Sequence, residues 1–98
     1  MIVTYTNEHG HHVGLNFKYV LAYYGYKAEV YPLMAENGGL KEQLALAVEF
    51  GGDSCHYLYF STRKSLDEAL QAIDHGLITK SRLIDLDEFL YPKRKGKN

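Results

Sequence analysis

A chain of 98 residues, 46% of them apolar, is long enough for one compact domain, because folding at this size hides about two thirds of the surface that the extended chain exposes. Its single cysteine, Cys55, excludes an internal disulfide framework. No leader with a basic start and a small-residue cleavage site is expected, and the richest apolar stretch is broken by Lys18, Gly25 and Lys27, short of the roughly 20 residues that cross a bilayer. We therefore expect a cytoplasmic protein outside the membrane. The net charge of −1 is uneven: Lys93, Arg94, Lys95 and Lys97 carry four positive charges, and without them seven Lys and Arg stand against twelve Asp and Glu, a body near −5. The expected organisation is one domain over residues 1–92 followed by a basic tail, 93–98, that reads as a solvated end.

In chain order, Ile2 to Thr6 is short, β-branched and aromatic, and Asn7, Glu8, His9 and Gly10 have turn character, which predicts a first strand inside a sheet. From Val13 to Tyr24 two periods compete. Val13, Leu15, Phe17, Tyr19, Leu21 and Tyr23 alternate as in a strand, while Phe17, Val20, Leu21 and Tyr24 share a helical face. Gly25 before Tyr26 has the form of a helix C-cap and Pro32 stops the next run, so the reading leans to a helix followed by a strand, Lys27 to Tyr31, with a two-residue hairpin around Gly25 as the rival.

Leu44, Leu46, Val48 and Phe50 alternate with Gln43, Ala45, Ala47 and Glu49, and Tyr57 to Thr62 is β-rich after the Gly51, Gly52, Asp53, Ser54 turn. This predicts a β-hairpin, with a helix from Leu40 to Phe50 as the rival. Placing Val48 opposite Leu58 and Leu46 opposite Phe60 makes one face wholly apolar. Ala45, Ala47 and Glu49 then share the other with Tyr57 and Tyr59, a surface expected to be covered by a helix of this chain or by a second subunit.

Ser65 and Glu68 have the spacing of a capping box, Leu66, Ala69, Leu70 and Ile73 repeat at helical spacing, and Gly76 with Leu77 resembles a C-cap, predicting a helix from Leu66 to His75. Its outward face carries Asp67, Gln71 and Asp74. Leu83 to Leu86 predicts a last short strand, with Phe89, Leu90 and Tyr91 closing the core. The expected class is α+β: a mostly antiparallel sheet of about four to five strands with one or two helices on one face.

Chemistry is sparse. His9, His11 and His12 form a metal candidate whose further ligands, from among Glu8, Cys55, His56 and His75, would have to be brought by the fold, so a solvent-exposed polar turn is the favoured reading. Cys55 and His56 are strand neighbours that point to opposite faces, so an inert buried cysteine is expected rather than a nucleophile with its base. Gly38 with Gly39 and Gly51 with Gly52 lack the Lys and Ser or Thr of a phosphate loop. Asp85 and Asp87 would share a face of the last strand, where a solvated edge is the expected role. No catalytic signature and no cofactor emerge.

Nine tyrosines, with no tryptophan, are the chain's most distinctive feature, because a phenol can bury its ring while wetting its hydroxyl. Tyr23, Tyr24, Tyr26, Tyr31, Tyr57 and Tyr59 are the candidate partner-binding residues, with a tyrosine-rich core as the competing explanation. The size and composition resemble those of small accessory or inhibitory proteins of phages and mobile elements, so we expect a non-enzymatic module that binds and blocks another protein and pairs as a homodimer. The alternatives are a nucleic-acid-binding accessory protein using Lys93, Arg94, Lys95 and Lys97 with tyrosines as stacking platforms, and a metal-dependent protein built on His9, His11 and His12.

Overall fold

The computed structural model describes residues 1–30 and 41–91. The chain runs β1 (Ile2–Thr6), β2 (His12–Asn16), a 3-10 turn (Phe17–Tyr19), β3 (Val20–Val30), β4 (Lys41–Phe50), β5 (Cys55–Phe60), α1 (Arg63–Ile78), β6 (Leu83–Asp85) and α2 (Asp87–Leu90). The class is α+β as expected, but among the described residues the strands number six and divide into two three-stranded sheets, ordered β2-β1-β6 and β3-β4-β5. Only the β1–β6 pair is parallel among these; the other three are antiparallel.

β1 is the central strand of its sheet, as its β-branched composition suggested, and its Val3 and Tyr5 are buried. Residues 13–24 depart from both readings of the sequence. Asn16 accepts a hydrogen bond from the Lys18 amide at 3.0 Å, which ends β2 in a single 3-10 turn, and the chain then re-enters a strand that runs unbroken through Gly25. Side-chain capping of a turn, followed by pairing along the whole of β4, outweighs the local helical periodicity. Gly25 is therefore neither a helix cap nor a hairpin turn. A Cβ there would stand 3.2 Å from Leu70 Cδ1 and 3.6 Å from Leu66 Cδ2, so the missing side chain is what lets α1 lie close on the sheet.

The β4–β5 hairpin forms as predicted, with the expected faces, but its register is shifted by two residues: Leu46 pairs with Leu58, Val48 with His56 and Leu44 with Phe60. The shift leaves a three-residue connection, Gly51–Asp53, closed by the Phe50 amide on Ser54 O at 2.8 Å, with Gly52 and Asp53 at φ of 72° and 63°. Positive φ at two successive positions is what Gly-Asp supplies cheaply. A shift of an even number of residues preserves the faces, which explains why the pattern was readable and the register was not.

α1 is longer than its apolar repeat implied. Thr62, not Ser65, is the N-cap: its hydroxyl oxygen accepts from the Ser65 amide at 3.1 Å, and Ser65 sits buried in the first turn. At the other end Gly76 is inside the helix, where a Cβ would meet Ile84 Cδ1 at 2.2 Å. Its glycine serves close packing against β6 rather than termination. The stop comes at Lys80, in the left-handed region at φ 57°, with the Ser81 amide bonded to Gly76 O at 2.8 Å.

Leu44, Leu46, Val48, Leu58 and Phe60 of the β3-β4-β5 sheet meet Leu66, Ala69 and Ile73 of α1 in one buried cluster that also takes in Val3, Leu15, Phe17 and Leu86. α1 thus lies against the inner face of that sheet and reaches β6 of the other. Phe89 and Leu90 pack on the margin of the core, as predicted. No helix among the described residues is long and apolar enough to cross a membrane.

Candidate interaction face

Strand alternation sends every second residue of β3, β4 and β5 away from α1. Pairing stacks these residues in three rows across the sheet: Ala22, Glu49 and Cys55; Tyr24, Ala47 and Tyr57; Tyr26, Ala45 and Tyr59. The central strand contributes alanines and the two flanking strands contribute tyrosines, so rings from both sides lean over a floor of methyl groups. Ala45 and Ala47 are completely buried, while Tyr24, Tyr26, Tyr57 and Tyr59 keep 41%, 42%, 46% and 51% of their surface exposed. The covering helix expected from the sequence lies on the opposite face.

The rings are organised. Tyr57 and Tyr59 stack at 6.5 Å with an interplanar angle of 21°, and Tyr26 meets Tyr57 edge-on at 6.1 Å; such pairs contribute about 0.5–1.5 kcal/mol beyond their buried area. A hydrogen bond to the Glu49 carboxylate pushes the Tyr24 phenol up to about 12, and the bond between Tyr57 and Cys55 raises the Tyr57 phenol as well. Both are neutral at physiological pH.

Two grooves border the face. One, of about 350 Å³, lies between Tyr57 and Tyr59 on one wall and Thr6, Asn7, Glu8 and Tyr91 on the other. The second, of about 450 Å³, runs by the hairpin turn and is lined by Leu21, Tyr24, Glu49, Asp53, Cys55 and Tyr57. Leu21 reaches it because the pairing slips between Val20 and Ala22, leaving Leu21 unpaired and 75% exposed. A bulge re-aims one side chain, and it carries no signal in composition or period. Glu49 stands on the face that its parity with Ala45 and Ala47 predicted, though it was not among the candidate binding residues.

The other candidates scatter. Tyr23 points to the α1 side, with its ring 5.6 Å from Phe17 and its hydroxyl donating to Asp74, so it does not belong with Tyr24 and Tyr26. Tyr31, Gly38 and Gly39, and Lys93, Arg94, Lys95 and Lys97, lie outside the described residues. His9 and His11 sit in the β1–β2 turn, ring centroids 6.2 Å apart, on backbone ordered by Asn7 Oδ1, which accepts from the amides of His9 at 3.0 Å and His11 at 2.9 Å. His12 begins β2. Among the described residues no three His, Cys, Asp or Glu side chains are grouped to hold a metal. Cys55 is half-buried rather than buried, and His56 faces the other way, edge-on to Phe50 at 5.5 Å. Asp87 is the first residue of α2 rather than part of the last strand. Its carboxylate accepts from the Thr6 amide and hydroxyl, both at 2.7 Å, so it ties β1 to α2 and does not pair with Asp85 as an acid and base.

Comparison of the chain with known protein families, with curated proteins and with solved structures found no match to any of them.

Proposed function

We propose that this chain is a non-enzymatic protein-interaction module of the cytoplasm, an accessory or inhibitory protein that acts by occupying a surface of a partner through the face formed by Tyr24, Tyr26, Tyr57 and Tyr59. The observation that carries this reading is the pairing of four half-exposed tyrosines with two fully buried alanines. The rings are held in place by the sheet and by one another, so little side-chain freedom remains to be lost on binding, and aromatic residues at a surface concentrate binding energy. The exposed Leu21 extends the same face. Self-association belongs to the proposal through a different feature: the outer edge of β3, eleven residues long, has no strand partner among the described residues, and edge pairing of two copies would leave both tyrosine faces open.

The test is the double variant Tyr57→Ala, Tyr59→Ala. It is expected to unfold in urea with the same cooperativity as the unaltered protein measured beside it, while losing at least tenfold in partner capture. Capture is scored by mass spectrometry of a nuclease-treated cytoplasmic extract, with light scattering for the mass of the free protein. A variant that no longer folds returns the two rings to the core, and a folded variant that retains the same captured proteins removes this face as the interface.

A further inference from the structure

We propose that the occupant of the tyrosine face is an extended, arginine-bearing segment of the partner protein; this rests on the reading of that face as an interface. Charge is the first argument. The ionisable side chains on the three rows and in the two bordering grooves include Glu8, Glu49 and Asp53, and among the described residues no Lys or Arg lines either groove or stands in those rows. Lys41 shares this parity of β4 but stands two rows beyond Tyr26, so the tyrosine rows and grooves themselves are acidic, and an acidic rim beside an apolar floor selects a cationic partner.

The rings are the second argument. The face of a phenol attracts a cation held within about 6 Å of its centroid, and a guanidinium adds planar stacking that an ammonium lacks. The chain already shows this chemistry on its own surface, where the Lys18 ammonium lies 5.8 Å from the Tyr19 ring centroid. On the tyrosine face the half-exposed rings have no such cation among the described residues of their rows. The Glu49 carboxylate, one row from Tyr24 and Tyr57, is placed to take a guanidinium fork while the guanidinium plane rests on a ring.

Spacing is the third. Alternate side chains of an extended strand recur at about 6.6–6.8 Å, and Tyr57 and Tyr59 present ring centroids 6.5 Å apart. An extended segment running along β5, with arginine at every second position, therefore keeps step with the tyrosine row.

The probe is a labelled octapeptide with arginine at alternate positions among Gly and Ser, compared with its lysine and glutamate counterparts by fluorescence anisotropy and by amide chemical shifts of the full-length protein. Saturable binding of the arginine peptide is expected, about threefold or more tighter than the lysine peptide, with shifts confined to β3, β4 and β5. Glu49→Gln is expected to weaken it about three- to fivefold, while Asp67→Asn, an equal charge change on the exposed side of α1, leaves it unchanged. Equal loss in both variants would mean attraction to an acidic body and would overturn the inference. So would binding of the glutamate peptide, competition by a single-stranded oligonucleotide at the same residues, or a dimer whose dissociation by Tyr57→Ala, Tyr59→Ala shows a second copy to be the occupant. If the arginine peptide fails to bind while the double tyrosine variant still loses its captured proteins, the cationic occupant falls and the interface stands. If the folded double variant keeps them, both fall.

Discussion

The two faces of the β3-β4-β5 sheet are built from alternate residues of the same strands and reach burial by different routes. On the inner face Gly25, Leu46 and Leu58 lie in one row, and the glycine hollow admits Leu66 and Leu70 from α1; the apolar surface is removed from water by another element. On the outer face the tyrosines themselves roof the alanines, and the roof stays half in solvent. The inner face is closed by α1 and the outer one stays half in solvent, so substitutions on the two should have separable effects.

The largest expected effect is on the inner face. Leu46→Ala removes a fully buried side chain and should cost about 2–5 kcal/mol in urea denaturation, whereas Tyr59→Ala, losing one stacked pair, should cost about 1 kcal/mol. Equal costs would erase the distinction between the faces. Next, Gly25→Val should destabilise by about 1–3 kcal/mol despite valine's preference for strands, because even a bare Cβ stands 3.2 Å from Leu70; a stabilised variant would show that α1 does not need the hollow. The smallest effect sharpens the comparison most. Tyr23 and Tyr24 are neighbours on opposite faces, each pushed up to about 12, by a hydrogen bond to Asp74 on the inner side and to Glu49 on the outer. Asp74→Asn should lower the Tyr23 midpoint alone and Glu49→Gln that of Tyr24 alone, read by phenolate absorbance. Because the folded chain holds these protons more tightly than the unfolded one, whose phenols release them near 10, the stabilisation is complete below about pH 10 and is lost as pH rises through 12.

What the sequence made legible was what strict periodicity writes. The period of two in Leu44 to Phe50, the helical repeat of Leu66, Ala69 and Ile73, and the β-branched run of Ile2 to Thr6 each named an element correctly. The failures fall where a long-range contact decides. Gly25 and Gly76 look like helix stops, and both are sites of close approach between elements distant in sequence, a property no local window contains. Thr62 displaced Ser65 as the cap because two hydroxyl residues stand three apart and either can start the helix. The tyrosine face was legible on β4 and β5, where alternation is regular, and illegible on β3, where a competing helical period obscured that Tyr23 and Tyr24, as neighbours on a strand, take opposite faces.

The parallel pairing of β1 with β6, reinforced by the hold of Asp87 on Thr6 across 81 positions, sets an order on synthesis. The β4–β5 hairpin closes over a three-residue turn and can form as soon as its own residues leave the ribosome, yet β1, which precedes the other described strands, is paired on both edges only once β6 has been made. Until translation passes Asp85 a β-prone segment therefore stands with one open edge, and a message cut short before Leu83 leaves the β1–β2 pair without its third strand.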